Sequence, residues 1–234
     1  MIVAVAGGKG GVGKTAVAYN LGAALDAVVV DADLGMADLP HSQGPDLHDV
    51  LAGRADPMEA VCHGRVSLLP CGRSLAGARA ADVGCLAEAL RTVAARVGDV
   101  VVDCPAGLRA DVGVPLAVAD ACVLVASPRR FALADVVRTR ELARELDAGL
   151  IGVVLNRTAD DDDVPADALR RTLGAPVSAV PADPRVGRSV DDERPVVSAA
   201  PDSAAAEVFR SLGDRVRTCK RERRGRDDHS VNSV

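Results

Sequence analysis

The sequence contains very few aromatic residues, which make up only 1% of its 234 positions. Its core must therefore be built mainly from Val, Ala, Leu and Ile, a composition that suits parallel strands buried by helices on both faces. The chain also lacks the aromatic platform on which single-stranded nucleic-acid-binding proteins stack bases.

Long apolar runs are missing as well. The chain has no stretch of about 18 apolar residues that could cross a membrane, and no charged leader precedes its first apolar run. The sequence therefore predicts a cytoplasmic location. The net charge of -5 argues against a general nucleic-acid binder, because phosphate contacts need a basic surface. A local basic patch leaves nucleic acid open as a partner.

Cysteines are few and scattered, with six in the chain and none in a C-x-x-C pair. Neither a zinc ribbon nor a redox dithiol is therefore indicated. In a cytoplasmic chain we expect them to be reduced and to serve as small apolar side chains.

Apolar, β-branched runs predict seven strands, at residues 2–6, 28–30, 66–69, 100–102, 121–125, 150–155 and 177–180. Segments of helical periodicity separate most of these runs. Strands that alternate with helices predict an α/β fold with a doubly wound, mostly parallel sheet of about seven strands. In such sheets, ligands bind at the carboxyl ends of the strands.

The same patterns predict one domain over residues 1–216. A last helix at residues 204–217 should close the core, because it places four apolar residues on one face, namely Val208, Phe209, Leu212 and Val216. Residues 217–234 are basic and then polar, which predicts a disordered tail. The acidic run at residues 160–163 is interpreted as a solvated loop.

A phosphate-binding motif directly follows the first predicted strand. Residues 8–15 read G-K-G-G-V-G-K-T, which satisfies G-x-x-x-x-G-K-[ST], and an amphipathic helix comes next. Glycines in such a loop let backbone N–H groups turn toward a phosphate. Lys14 should reach the β- and γ-phosphates, and the Thr15 hydroxyl should ligate magnesium. The predicted nucleotide-binding residues of this segment are Gly8, Lys9, Gly10, Gly11, Val12, Gly13, Lys14, Thr15 and Ala16.

Lysine is scarce, since only three of the 28 basic residues are lysine, and two of those three, Lys9 and Lys14, lie in this loop. A compact ammonium fits a phosphate cradle where a planar guanidinium would not. The placement of the lysines therefore supports a phosphate site.

Three further strand ends carry polar residues suited to the same site. Asp31 and Asp33 follow one apolar run, and Asp103 ends another in the manner of a Walker B strand. We expect Asp31 and Asp103 to join Thr15 around Mg²⁺, and Asp33 or a neighbouring carboxylate to orient water. Asn156 ends a later strand with an amide that could pair with a purine edge.

Residues 9–15 resemble the deviant Walker A box of the MinD/ParA family of ATPases. Residues 31–35, D-A-D-L-G, and residues 103–107, D-C-P-A-G, are similar to the two switch segments of that family, MinD-like members above all. The resemblance extends over residues 1–216 in the order of the elements. It implies ATP and Mg²⁺ as ligands, and slow hydrolysis of ATP that a partner stimulates.

The resemblance also implies roles for individual residues. Lys9 would reach the phosphates of a second protomer in an ATP-dependent homodimer, with Lys14, Asp33 and Asp103 completing the catalytic set. Asp33 would lie at the hydrolytic water, and Gly107 would sense the γ-phosphate. The adenine contacts would come from four residues, namely Asn156, Arg157, Pro181 and Asp183.

The sequence departs from this pattern at two places. Pro128 is followed by Arg129 and Arg130, where MinD-like relatives often have an acidic residue, which bears on the contact with the partner's nucleotide. Residues 217–234 offer no apolar face for a membrane-targeting helix, so the sequence argues against membrane anchoring.

ATP is favoured over GTP, because no lysine stands in an N/T-K-x-D setting.

The leading functional hypothesis is an ATP-switched dimer that positions or recruits cellular machinery through an unidentified protein partner. Division, chromosome, and motility or chemosensory components are the candidate cargoes. A metal-cluster or metal-insertion ATPase is one alternative, which would need cysteines that meet across a dimer or form a short pair, whereas Cys71 and Cys104 stand at strand ends where a small residue would serve. A small-molecule ligase or kinase on the same scaffold is another.

Overall fold

The computed structural model describes residues 1–35, 38–40, 43–107, 110–128, 130–159 and 166–231. Its strands are β1 (Ile2–Ala6), β2 (Val28–Asp31), β3 (Ser67–Leu69), β4 (Val100–Asp103), β5 (Ala121–Ala126), β6 (Gly149–Thr158) and β7 (Val177–Pro181). Its helices are α1 (Lys14–Leu25), α2 (Leu47–Leu51), α3 (Leu75–Ala80), α4 (Leu86–Val97), α5 (Ala110–Val118), α6 (Arg130–Glu145), α7 (Ala166–Leu173), α8 (Pro184–Arg188), α9 (Val196–Ala199) and α10 (Ala204–Val231).

The seven strands form one sheet in the order β3-β2-β4-β1-β5-β6-β7, and all neighbouring strands run parallel. The predicted α/β fold with a doubly wound parallel sheet is confirmed. Strand β1 lies at the centre between β4 and β5, so the chain order reverses at this strand. The loop after β1 therefore opens at the switch point, where α/β proteins bind their ligands.

Helices cover both faces of the sheet, as the apolar composition predicts. Alternate residues of β1 point to opposite layers, with Ala4 and Ala6 in one core and Val3 and Val5 in the other. The first core is closed by α2 and α4 to α7, and the second by α1 and α8 to α10. These buried layers hold the carboxyl edge of the sheet in place.

Helix α10 closes the second core through Phe209, Leu212 and Val216, each at most 1% exposed. The helix extends to Val231, through the segment for which composition predicts disorder. The first turns beyond residue 216 contact the rest of the protein, and the half-buried Cys219 packs against the second core. Lys220 Nζ lies 2.6 Å from Asp99 Oδ1, and Arg223 donates to the Asp120 carbonyl at 2.7 Å, so the basic side chains find acceptors at the amino edge of the sheet. Within the described ranges, no helix combines the length and apolarity needed to cross a membrane.

Candidate functional site: a phosphate loop at the sheet switch point

The loop between β1 and α1 has a backbone that only glycine adopts easily. Gly11 and Gly13 have φ angles of 75° and 91°, in the left-handed region. A Cβ at Gly13 would also lie 2.2 Å from Asn156 Nδ2, and one at Gly8 would lie 2.3 Å from the Asp135 Cβ. Two of these glycines are therefore required by the neighbours that press against the loop, and the glycines that the motif predicts have a geometric cause.

Lys14 and Thr15 begin helix α1 directly after this loop. Lys14 is 8% exposed, and the Thr15 hydroxyl donates to Asp38 Oδ2 at 3.4 Å. Gly13 precedes the helix without a capping side chain, and the first turn carries no acidic residue. The positive N-terminal end of α1 is thus left to an anionic ligand, with the Lys14 ammonium beside it.

Asp31 and Asp103 lie side by side, because they end neighbouring parallel strands at the same level of the register. Both are almost fully buried, at 0% and 2% exposed. Burial raises the pKa of Asp31 to about 6, against the lowering effect of three backbone N–H donors. Burial raises the pKa of Asp103 to about 8, and the nearby Asp31 adds to the rise, while Thr15 and Lys14 lower it.

The two carboxylates, Asp31 and Asp103, differ in their hydrogen bonds. Asp31 accepts N–H groups from Asp33, Asp38 and Leu39 at 3.1, 3.0 and 3.3 Å, so both of its oxygens shape the loop that follows β2. Asp103 Oδ1 is buried and has no hydrogen-bond partner among the described residues. A carboxylate oxygen and a hydroxyl oxygen are ligands that Mg²⁺ prefers, so the side chains of Asp103 and Thr15 fit this ion. Asp31 lies beside Asp103 and holds the backbone of the loop that follows β2.

The two predicted switch segments lie at the same edge. The Asp33 N–H is held by the Asp31 carboxylate, which places Asp33 at the mouth of the site. Gly107 has a φ of 99° in the segment after β4, and a Cβ at Gly10 would lie 3.8 Å from the Ala106 Cβ. The segment after β4 therefore runs beside the phosphate loop.

Lys9 differs from Lys14 in its surroundings. Its side chain is 53% exposed, and its Nζ lies 3.4 Å from Asp135 Oδ2 on helix α6. Sequence reasoning missed Asp135, which belongs to no motif and approaches the loop only because α6 packs against Gly8. Arg129 lies outside the described residues, as does the acidic run at 160–163, and the side chain of Arg130 is also outside them.

A cavity of about 240 Å³ adjoins the phosphate loop. It is lined by the four residues predicted to contact adenine, namely Asn156, Arg157, Pro181 and Asp183, and by Ala16 of the predicted phosphate-binding segment, together with Ala182, Pro184, Val186 and Gly187. Its walls come from the start of α1, the carboxyl end of β6, and the end of β7 together with helix α8. The sequence therefore predicted a set of residues that the fold does bring together.

The Asn156 amide, which the sequence suggested as a partner for a purine edge, also binds the phosphate loop. Its Nδ2 donates to the Val12 carbonyl at 2.9 Å, while its buried Oδ1 has no partner within the described part of the chain. Arg157, whose φ is 62°, likewise donates to the Gly11 carbonyl at 3.2 Å. Both side chains brace the phosphate loop, and the free Oδ1 is the atom of Asn156 that remains for a base.

Comparison with known proteins identifies the group to which this site belongs. Residues 3–196 match the family described as the CobQ/CobB/MinD/ParA nucleotide binding domain. An uncharacterized ATP-binding protein of Methanocaldococcus jannaschii is 32% identical, over 94% of this chain and 89% of the relative.

Solved structures agree with this match. The cell division ATPase MinD of Pyrococcus furiosus superposes with a TM-score of 0.85 at 30% identity, covering 93% of this chain and 98% of that one. The septum site-determining protein MinD of Pyrococcus horikoshii, solved in complex with Mg-ADP, has a TM-score of 0.84 at 29% identity, with coverage of 92% and 95%. The chain therefore belongs to the CobQ/CobB/MinD/ParA nucleotide-binding family, as a P-loop ATPase of the MinD/ParA type.

Proposed function

We propose that this protein is an ATP-driven molecular switch of the cytoplasm, which dimerises when it holds ATP and Mg²⁺ and returns to the monomer after slow hydrolysis. One observation carries this proposal. The two lysines of the same loop differ in exposure, with Lys14 buried beside the carboxylates and Lys9 half exposed at the rim. A buried lysine suits the protomer's own phosphates, whereas an exposed one is available to a second protomer.

The residues of the site would share the work of hydrolysis. Backbone N–H groups of the loop and the Lys14 ammonium would hold the β- and γ-phosphates. Mg²⁺, when bound by Thr15 and Asp103, would neutralise charge that develops on the phosphates. Asp33 would orient the attacking water, and Lys9 of the partner protomer would supply a cation to the transition state. Such cations are worth about a thousandfold or more in rate.

The base would occupy the cavity beside Asn156 and Pro181. Its walls are mainly apolar side chains and backbone, which suits the flat faces of a purine. The Asn156 Oδ1, which lacks a partner within the described residues, can accept an N–H from an exocyclic amino group. Adenine and guanine both carry such a group, so this atom suits a purine base, and the preference for ATP rests on the absence of an N/T-K-x-D motif.

The cargo is proposed from the relatives. The Pyrococcus furiosus structure is that of a cell division ATPase, and this chain covers 98% of it. We propose that this protein positions or recruits cellular machinery in a similar way, with division components as the first candidates and an unidentified protein as the activating partner.

The chemistry of the cysteines argues against the metal-cluster alternative. Cys71 and Cys104 are buried, each 1% exposed. A cluster shared between two protomers needs cysteines that meet at a common surface, and neither of these buried side chains reaches one.

The experiment that tests the switch is a measurement of ATPase rate against protein concentration, with sedimentation in a non-hydrolysed ATP analogue. Wild-type specific activity should rise with concentration as dimers form. Lys9→Ala should bind ATP and yet lose both dimerisation and turnover, whereas the matched change Lys220→Ala, far from the site, should keep both. A flat specific activity from a stable monomer, unchanged in Lys9→Ala, would leave a P-loop ATPase without a dimer mechanism.

The partner can be sought with the same protein in a trapped state. Asp33→Ala lacks the group that orients water, so it should hold ATP and remain dimeric. Affinity capture with this variant in ATP, compared with Lys14→Ala in ATP, should retain the partner only on the first bait. Equal recovery on both baits would contradict recruitment by the ATP state.

A further inference from the structure

His48 is a buried titratable residue that the proposed chemistry does not use. It lies in the first turn of α2 and is 2% exposed. The turn is fixed by a reciprocal pair of caps, in which Asp46 accepts the Asp49 N–H at 3.1 Å and Asp49 accepts the Asp46 N–H at 3.3 Å. The imidazole is therefore carried by a short but well-anchored piece of helix.

The ring contacts the segment that carries Asp33. His48 Nε2 lies 3.1 Å from the Leu34 carbonyl oxygen and 3.3 Å from Cys71 Sγ. A carbonyl oxygen can only accept, so Nε2 must carry the hydrogen and donate it to Leu34. The partner of His48 is thus the residue directly after the one proposed to orient water.

The other ring nitrogen, Nδ1, lies against two glycines. His48 Nδ1 is buried and has no hydrogen-bond partner within the described ranges. A Cβ at Gly72 would lie 2.4 Å from this atom, and one at Gly77 would lie 3.1 Å from it. Glycine at both positions makes room for the ring. The ring can therefore lie where its Nε2–H donates to the Leu34 carbonyl.

The backbone on both sides of Asp33 is consequently anchored. The Asp33 N–H donates to Asp31 Oδ1 at 3.1 Å, and the Leu34 N–H donates to the Ala32 carbonyl at 3.1 Å. The Leu34 carbonyl is then secured by His48. We propose that His48 is a positioning residue for ATP hydrolysis, which holds the Leu34 carbonyl and thereby orients the Asp33 carboxylate toward the attacking water. This inference rests on the proposed ATPase function.

His48 lies apart from the groups that bind the nucleotide. It approaches from α2, beside Cys71 after β3, whereas the proposed phosphate and base contacts come from the phosphate loop, the start of α1 and the carboxyl ends of β6 and β7. Loss of the Nε2 donor should therefore change the rate of hydrolysis and leave ATP affinity in place. A merely structural residue would instead lower stability, affinity and rate together.

The test compares two substitutions that carry the same amide group but differ in how far it reaches. Glutamine places an amide N–H near the position of the imidazole Nε2, whereas asparagine is one carbon shorter and cannot reach Leu34. We expect His48→Asn to lower kcat about tenfold, as small misplacements at a reacting centre do, with the dissociation constant for fluorescent ATP within twofold of wild type. His48→Gln should recover most of the rate.

Two controls address the neighbours. His63→Asn changes an exposed histidine outside the site and should leave kcat unchanged. Cys71→Ala removes the thiol contact but keeps the Leu34 hydrogen bond, so it should retain most of the activity. The proposal is overturned if His48→Asn keeps wild-type kcat, if the Gln and Asn variants lose activity equally, or if affinity falls in parallel with kcat.

Failure of this inference can be told apart from failure of the proposed function. Lys14→Ala, measured in the same assay, shows whether the turnover belongs to the phosphate loop. If Lys14→Ala retains turnover, the ATPase assignment fails. If Lys14→Ala abolishes turnover and His48→Asn does not lower it, the ATPase stands and only the role of His48 is wrong.

Discussion

Lys9 Nζ lies 3.4 Å from Asp135 Oδ2, so the lysine proposed to serve a second protomer is paired within its own chain. Arg138 also approaches Asp135, at 3.6 Å, which gives this carboxylate a second cation. A transfer of Lys9 to a partner's phosphate would therefore break an ion pair that holds the loop against α6. The cost is small, because Lys9 is half exposed and such pairs contribute about 0–1 kcal/mol.

Asp135→Asn should consequently favour the dimer. Removing the carboxylate releases Lys9, and the dimer dissociation constant in a non-hydrolysed ATP analogue should fall by up to about fivefold, in line with the small worth of exposed pairs. Analytical ultracentrifugation measures this constant. Asp214→Asn removes a comparable surface pair with Arg217 far from the loop and serves as the control. A weaker dimer in Asp135→Asn would mean that Asp135 supports the active position of Lys9.

Lys14→Ala and Asp33→Ala should separate binding from turnover. Lys14→Ala removes the buried ammonium that is proposed to hold the β- and γ-phosphates, so ATP binding should be abolished. Asp33→Ala removes only the group that orients water, so ATP should bind while kcat falls. Titration with fluorescent ATP and a phosphate-release assay give the two quantities. Comparable affinity in Lys14→Ala and wild type would contradict the assignment of the site.

The stability of the metal-free protein should depend on pH through Asp31 and Asp103. Burial raises their pKa values from 3.8 to about 6 and about 8, so the folded protein keeps protons that the unfolded chain has already released. The free energy of unfolding should therefore fall as pH rises from about 4 to 8. Urea unfolding in EDTA at pH 6, 7 and 8 measures the slope.

A substitution and an added ligand test whether the two carboxylates cause this pH dependence. Asp103→Asn lacks the titrating group, so most of the decline between pH 6 and 8 should disappear. Mg²⁺ with nucleotide favours the ionised carboxylates and should also flatten the curve. A free energy of unfolding that rises over this range in EDTA would show that other groups dominate.

Asn20 connects the phosphate-loop helix to the wall of the base cavity. Its Nδ2 donates to Ser189 Oγ at 2.8 Å, and its Oδ1 accepts the Val196 N–H at 2.6 Å. Ser189 in turn donates to the carbonyl of Val186, which lines the cavity. The network joins two distant parts of the chain inside the second core.

Asn20→Ala should lower the free energy of unfolding by at least about 2 kcal/mol, because each buried group left without a partner costs roughly 1–3 kcal/mol. It should also weaken ATP binding, since the cavity wall loses its anchor. Urea unfolding and ATP titration measure the two effects. Thr172→Ala, which removes an exposed hydroxyl bonded within its own helix, is the control and should be close to neutral. Equal stability of the two variants would refute a structural role for the network.

The sequence by itself determined the elements that carry the site. The strand bounds agree within a few residues, because apolar β-branched runs between polar turns are local patterns that a buried parallel strand requires. The phosphate loop was equally readable, since Gly11 and Gly13 are needed by the backbone itself. Helix α5 and the short helices α2, α3, α8 and α9 were not predicted. Each of the four short helices spans at most six residues and has too few turns to show a period.

Only the tertiary structure decided how those elements meet. Asn156 and Val12 are bonded across 144 positions, and Val196 and Asn20 across 176. The ring of His48 meets Leu34 only because α2 packs beside the end of β2, and α6 brings Asp135 to Lys9 in the same way. A residue's own neighbours in the chain set its backbone conformation, whereas the partner of a buried polar side chain is set by which layers pack together. The basic helix beyond residue 216 follows that rule, because Lys220 and Arg223 pair with Asp99 and Asp120 at the amino edge of the sheet.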